Sequence, residues 1–201
     1  MAGEVSGDIQ AALLIAELKR RPHPLQITGV GGVRMADAGA ALLFDSSDWG
    51  VIGHVVPVLR VRQYLRRLRD VIAAVRRIQP HLLVLVDFPG FNLRVAAALR
   101  GHPPVAYYFP PMVSVRKGNR GRRIAALGMR LLATLPFEAT AYEAAGADVR
   151  FVGHPAVDMV RPMWDLDIRR ARLGLSAGSR VVGLLPGSRA QEVALLLPIM
   201  L

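Results

Sequence analysis

No cysteine occurs in the 201 residues, which excludes disulfides, thiolate metal ligands and a cysteine nucleophile together. A chain without thiols suits a reducing compartment. Aromatic residues are scarce at 6%, with Trp49 and Trp164 the two tryptophans, so an aromatic platform for stacking bases is missing. Helix-turn-helix and zinc-module patterns are missing too, and nucleic acid is not the expected partner. No apolar run approaches the roughly 20 residues of a membrane span. No signal peptide precedes the acidic, glycine-containing start. The expected location is the cytoplasm, with the inner membrane surface as a peripheral site. Acidic residues are few, 15 against 26 basic ones, giving a net charge of +11.

Hydrophobic residues make up 52% of the chain and charged residues 20%, the balance of a folded protein. The length suits one domain or slightly more. The positive charge is arginine, since only Lys19 and Lys117 are lysines. Arg60, Arg62, Arg66, Arg67, Arg69, Arg76 and Arg77 form one cluster, and Arg116, Lys117, Arg120, Arg122, Arg123 and Arg130 a second. Such a balance suits anionic lipid or phosphorylated substrates. An arginine-rich surface of solvated helix faces accounts for the same charges.

Apolar, β-leaning segments at Leu25–Val30, Leu82–Val86, Val105–Phe109, Leu131–Leu135, Val149–Val152 and Val181–Leu185 alternate with helical patterns. The helical patterns cover Ile9–Arg20, Val58–Ile78, Leu93–Arg100, Arg122–Met129, Glu138–Ala145 and Ile168–Leu173. This alternation predicts an α/β fold, a Rossmann-like parallel sheet with helices on both faces. Val160–Asp167, with Pro162 and Trp164, reads as a linker. The expected organisation is a domain over 1–165, followed by a linker and the start of a second domain over 166–201. The Ala2–Asp8 turn asks for a feeding strand that Met1 alone does not supply, and the last helix is still apolar at Leu201. A fragment cut at both ends, with its first strand missing, is therefore expected.

Two glycine-bearing turns carry the functional signal. Residues 2–8 read Ala-Gly-Glu-Val-Ser-Gly-Asp and run into a helical pattern, where Ser6 or Asp8 is placed to cap the helix. Residues 183–189 read Gly-Leu-Leu-Pro-Gly-Ser-Arg, with helix-forming residues resuming at Arg189. Strand, tight turn and helix start make a place for phosphate or sugar. Asp87 ends the Leu82–Val86 segment, at the edge of a parallel sheet where ligands bind. Its carboxylate suits a general base, or a cap for the following helix.

With these pieces in place the sequence resembles lipid-A-disaccharide synthase, a glycosyltransferase family of the two-Rossmann-domain GT-B architecture. The resemblance rests on Ala2-Gly-Glu-Val-Ser-Gly-Asp8, Gly29-Val-Gly-Gly-Val-Arg-Met35, Gly50-Val-Ile-Gly53, Val86-Asp-Phe-Pro-Gly-Phe-Asn92, Leu135-Pro-Phe-Glu138, Phe151-Val-Gly-His-Pro155 and Leu185-Pro-Gly-Ser-Arg189, in family order. It covers essentially the whole chain, which corresponds to about the first half of a family member. It implies transfer of 2,3-diacylglucosamine from UDP to the 6-hydroxyl of 2,3-diacylglucosamine 1-phosphate, with a β-1,6 linkage, release of UDP, and neither metal nor cofactor. By the same resemblance Asp87 is the catalytic base. Glu4, Ser6, Asp8, Asn92 and His154 fall at substrate-binding positions. Gly187, Ser188 and Arg189 fall on donor phosphate, the guanidinium pairing with phosphate oxygens. Asn92 also suits hydrogen bonding to its own turn, and His154 also suits simple packing.

The sequence departs from the family where Gly90 replaces a second carboxylate. It also departs where Pro110-Pro-Met-Val-Ser-Val-Arg116 lacks two tryptophans, at Ser114 and Arg116, and where Val56 replaces a glutamate. These changes bear on acceptor recognition. They keep open another GT-B enzyme, a nucleotide-sugar 2-epimerase, or a truncated non-catalytic binding module. Oligomeric state stays open as well. Val58, Val61, Leu65, Leu68, Ile72 and Val75 share one helix face flanked by arginines. That face either lies on an anionic bilayer or packs on the sheet.

Overall fold

A computed structural model describes residues 1–47, 49, 58–112, 119–160, 165–176, 178–187 and 190–201. The chain divides into two compact units, Met1–Ala156 and Val157–Leu201.

The first unit alternates helices and strands: α1 (Val5–Lys19), β1 (Thr28–Gly31), α2 (Val33–Asp37), β2 (Ala41–Asp45), α3 (Val58–Ile78), β3 (Leu83–Val86), α4 (Pro89–Leu99), β4 (Val105–Tyr108), α5 (Arg120–Ala125), β5 (Arg130–Ala133), α6 (Pro136–Ala144) and β6 (Val149–Phe151). All strand pairs are parallel, β1 with β2 and β3-β4-β5-β6 in order. Parallel strands need crossovers, and the intervening helices supply them. The α/β, Rossmann-like class expected from the alternation is the class observed.

The two sheets are joined by a dipeptide. Ala2 forms a parallel bridge with Val86 and donates its N–H to the Val30 carbonyl at 2.9 Å. Met1 accepts from the Val86 N–H at 2.8 Å, and its amine donates to the Val84 carbonyl at 2.6 Å. Met1–Ala2 thus lies between β1 and β3 in the place of a central strand.

Successive residues on a strand face opposite sides, and the core follows that rule. Leu83 and Leu85 of β3, Val105 and Tyr107 of β4 and Leu131 of β5 join Val71 and Val75 of α3 and Phe91 and Val95 of α4 on one face. Val86, Ala2, Ala11, Ile15 and Met35 pack on the other. Helix α3 has the span its periodicity predicts. Its apolar stripe is buried at Val71 and Val75, with Leu68 and Ile72 packed against the core, but Val61 and Leu65 are exposed. Val58 has its side chain outside the described set.

Several boundaries differ from the sequence-based expectation. Helix α1 starts at Val5 with Glu4 as its cap residue and no capping side chain, so Ser6 and Asp8 lie inside the first turn. The Asp8 carboxylate is instead committed to α2 (below). Strand β2 and helix α2 were not anticipated. Both are only five residues long, and the exposure of β2 alternates between partial and full, leaving too little hydrophobic signal. The Leu25–Val30 segment pairs only from Thr28, past Pro24.

A short helix, α7 (Ala156–Met159), follows β6. The second unit contains α8 (Leu166–Arg172) and α9 (Ala190–Met200). Asp165 caps α8 by accepting from the Asp167 and Ile168 N–H groups at 2.9 and 3.1 Å. The expected strand Val181–Leu185 does not form: the segment is unpaired, with Val182 and Leu185 exposed at 83% and 87%. A strand exists only through a ladder, and among the described residues of this unit no second extended segment pairs with it. Among the described residues no helix is long and apolar enough to cross a membrane.

Leu85 is fully buried at the centre of β3. Leu85→Ala should cost about 2–5 kcal/mol of stability, read as a lowered denaturation midpoint with secondary structure retained before the transition.

Candidate functional site

The carboxyl ends of the parallel strands converge on one edge of the first unit, where loops carry ligands in open α/β sheets. Following Met1–Ala2 is the Gly3–Ser6 turn, following β1 the Gly31–Gly32 turn, and following β3 the Asp87–Phe88 turn. Phe109 follows β4, Thr134 and Leu135 follow β5, and Gly153 and His154 follow β6.

Asp87 and Phe88 are both left-handed, with φ of 49° and 50°. Left-handed backbone on a non-glycine residue is sparsely populated, and such strain persists only where surroundings over-determine it. Here two buried side chains do so. Asn92 is 1% exposed and its Nδ2 donates to the Asp87 carbonyl at 2.7 Å and the Val86 carbonyl at 3.3 Å. The Tyr107 hydroxyl donates to the same Asp87 carbonyl at 2.8 Å. Burial, and then the Asp87 charge, push the Tyr107 hydroxyl far above its usual pKa, so it remains a donor. Asn92 therefore serves the turn.

The Asp87 backbone is pinned while its carboxylate reaches the edge. Helix α4 begins with Phe88 as its cap residue and no capping side chain, so the capping role open to Asp87 in the sequence is not the one it takes. Among the described residues its carboxylate takes one hydrogen bond, a 3.5 Å contact from the Ser6 hydroxyl. Ser6 is exposed, and Glu4 sits on the same turn, half-buried. The two turns touch through Gly3: a Cβ there would meet the Phe88 ring at 2.1 Å, so only glycine lets the ring lie across the loop.

Asp8 is 6% exposed and holds the neighbouring turn. One carboxylate oxygen accepts from the Gly32 and Met35 N–H groups at 2.7 and 3.2 Å, the other from Arg34 at 3.0 Å. These are the free N–H groups at the start of α2, and an anionic acceptor satisfies them well. A Cβ at Gly32 would lie 2.7 Å from an Asp8 oxygen, which explains that glycine. The structure thus commits the Asp8 oxygens to α2.

His154 lies with its ring edge against Phe109, centroids 5.1 Å apart, and its Nδ1 accepts from the Ala156 N–H at 3.1 Å. Near it lies a carboxylate that the residue reading did not single out. Glu138, 5% exposed in the first turn of α6, is pushed up in pKa by burial, while a hydrogen bond from the Leu135 backbone and the neighbouring His154 pull it down. Pro136 at the first helical position and Glu138 two residues on is a helix-start pattern, which is the signal that was present. The Tyr142 hydroxyl donates to the Pro111 carbonyl at 2.7 Å.

Ser6 and Asp87 are thus brought together, with Asn92 beneath them. Gly187 belongs to the second unit and has a φ of 122°. Ser188 and Arg189 lie outside the described residues, as do Gly50–Gly53, Val56, Ser114 and Arg116. Among the described residues no three His, Asp or Glu side chains form a metal-holding group.

Comparison with known proteins places this geometry in context. The family model described as lipid-A-disaccharide synthetase matches residues 1–201. A lipid-A-disaccharide synthase of Geobacter sulfurreducens is 41% identical over 202 residues, covering 100% of this chain and 53% of the relative. One from Myxococcus xanthus is 41% identical over 199 residues, covering 98% and 52%. One from Syntrophus aciditrophicus is 38% identical over 202 residues, covering 100% and 53%. The chain spans about half the length of the curated relatives it matches.

Two substitutions separate scaffold from site. Asp8→Ala strands the buried N–H groups of α2 and should lower stability by about 1–3 kcal/mol, measured by chemical denaturation. Gly90 is exposed near the start of α4, and a Cβ there meets nothing within 4 Å. Gly90→Asp should therefore be tolerated or stabilise by up to about 1 kcal/mol, a carboxylate near a helix start being favourable. A fall in unfolding midpoint would contradict that expectation.

Proposed function

The chain belongs to the lipid-A-disaccharide synthetase family, whose place is in lipid A biosynthesis, and from that premise we propose that it forms the acceptor-side half of a hexosyltransferase. The proposed reaction moves 2,3-diacylglucosamine from UDP to 2,3-diacylglucosamine 1-phosphate. The acceptor 6-hydroxyl oxygen attacks the anomeric carbon, the bond from that carbon to the UDP oxygen breaks, and UDP leaves. Asp87 takes the hydroxyl proton as the new bond forms.

One observation supports this reading above the others. Asp87 sits on a strained left-handed turn whose backbone is tied down from below, with its carboxylate at the strand edge beside one serine hydroxyl. A base must be held in place yet stay accessible to the proton it takes. A capping residue would point its carboxylate at the first turn of α4 instead. Ser6 and Glu4 then orient sugar hydroxyls, and His154 lines the far side.

The arrangement of the chain follows in the same proposal. Residues 1–165 provide the acceptor-side domain, and 166–201 provide the linker and the start of the donor-binding domain. There Gly187, Ser188 and Arg189, which precede α9 in the sequence, would receive the donor diphosphate. Arg62, Arg66, Arg69, Arg76 and Arg77 are exposed along α3. They give acylated substrates an anionic membrane surface to approach from, with the protein peripheral on the inner membrane.

In a full-length protein carrying this chain, Asp87→Asn should reduce UDP release with diacylglucosamine 1-phosphate by about 10²–10⁴-fold. Donor binding and the unfolding midpoint should hardly change, because the pinned groups are backbone carbonyls. Near-normal turnover in that variant would remove Asp87 as the base.

A further inference from the structure

At the strand edge His154 has one ring nitrogen committed and one free. It stands two residues before Ala156, the first residue of α7, and its Nδ1 accepts the Ala156 N–H at 3.1 Å. An amide N–H only donates, so Nδ1 carries its lone pair and the ring proton resides on Nε2. The Phe109 ring meets the imidazole edge to face, centroids 5.1 Å apart, and fixes its orientation. Nε2 takes no hydrogen bond among the described residues. It is not one of the buried polar atoms left unpaired either, which are Gln10 Oε1 and Asn92 Oδ1. A half-buried ring therefore presents one accessible N–H donor at the edge.

The turn alone does not ask for histidine. An asparagine or aspartate oxygen accepts the N–H two residues on equally well. Histidine adds the second nitrogen, at the far end of a rigid ring. The surroundings restrict what that nitrogen can meet. The imidazole is neutral in this tautomer and brings no charge for an anion. Beside it lies the Glu138 carboxyl of α6, 5% exposed and accepting from the Leu135 backbone. Such a bond favours the ionised form, and an approaching phosphate would meet like charge.

Strand order bears on which end of a substrate is in reach. Asp87 follows β3 and His154 follows β6, with the ends of β4 and β5 between them. Three spacings of ~4.8 Å make about 14 Å, shortened where the ring leans on Phe109 after β4. One sugar hydroxyl cannot serve both residues.

We propose that His154 is a specificity-determining residue of the transferase: as the neutral tautomer it donates from Nε2 to an uncharged acyl carbonyl oxygen of the sugar acceptor, not to the 1-phosphate. This rests on the acceptor-side reading above. With the 6-hydroxyl at Asp87, the 2- and 3-acyl groups stand on the other side of the glucosamine ring, and their carbonyls are neutral acceptors. The contact selects acylated sugar and takes no part in proton transfer, which stays with Asp87.

Two measurements test it. Nitrogen-15 shifts of the His154 ring in the 201-residue chain near neutral pH, assigned by their loss in His154→Asn, should place the proton on Nε2. A proton on Nδ1, or on both nitrogens, overturns the proposal whatever the reaction. The second measurement is acceptor kinetics in a full-length protein carrying this chain. His154→Asn keeps an acceptor for the Ala156 N–H and loses the donor. It should raise the acceptor KM by about 3–10-fold, the usual size of one neutral hydrogen bond, with a smaller effect on kcat. His154→Gln carries an amide N–H near the place of Nε2 and should recover most of that loss. Of two acceptors, each with one acyl carbonyl reduced to methylene, one should lose the same factor against the unsubstituted protein and nothing more against His154→Asn. Additive losses for both acceptors, or His154→Gln no better than His154→Asn, would overturn the carbonyl contact. So would a loss in His154→Asn that disappears once the acceptor lacks its 1-phosphate. No UDP release from the unsubstituted protein would sink the reaction and the carbonyl contact together, while the nitrogen shifts judge the tautomer separately.

Discussion

Backbone hydrogen bonds from the two edges of Met1–Ala2 are what make one sheet out of two. Parallel strands satisfy their polar groups only through neighbours, and without this dipeptide β1–β2 and β3–β6 share no ladder among the described residues. The same join determines where α1 starts. Because Ala2 is in register with Val86, the following turn must leave the sheet beside the turn that follows β3. That places Gly3 under the Phe88 ring and brings Ser6 to Asp87. The candidate site is thus a consequence of sheet register before it is a consequence of side-chain chemistry.

At the edge itself, the backbone and the carboxylate of Asp87 meet different neighbours. Asn92 and Tyr107 hold the Asp87 carbonyl and leave the carboxylate to the surface. Asp8, a carboxylate only six residues from Ala2, is used the other way: its oxygens satisfy the start of α2 and its exposure is 6%. Two aspartates at one strand edge therefore differ in role because one meets free backbone donors and the other does not. The glycines of both motifs follow the same logic, since Gly3 and Gly32 lie where a Cβ would strike Phe88 or Asp8.

Legibility varied with the kind of signal. Helix α3 was readable to its ends, because 21 residues of periodic pattern leave little ambiguity. The strands β3, β4 and β6 were readable to within a residue or two, because each is a short β-rich run between turn residues. The start of α1 was misplaced because capping was inferred from side chains that the tertiary structure uses elsewhere. Strand β2 was missed because Ala41–Asp45 carries a weak pattern and sits next to a single partner. Val181–Leu185 has strand composition without a strand neighbour, and composition alone does not make a ladder. The place of Asp87 just past β3 was legible from the end of an apolar run, and the Asn92 hydrogen bond to its own turn was one of the two readings its position allowed. Glu138 was not singled out, because nothing in a linear pattern shows that a helix-start glutamate will be buried beside a histidine.

The sequence by itself determined the alternation of elements, the parallel class that such alternation requires, and the family, because these depend on local pattern and on the order of short motifs. Only the tertiary structure decided which carboxylate became scaffold and which stayed at the surface. Only it decided that Met1–Ala2 would lie between β1 and β3 and join the two sheets. These outcomes depend on which distant groups meet across the sheet. Hydrogen-bond satisfaction and steric fit between segments 24 to 83 residues apart (Asp8 to Gly32 at one end, Met1 to Val84 at the other) are set by the fold rather than by any stretch of chain.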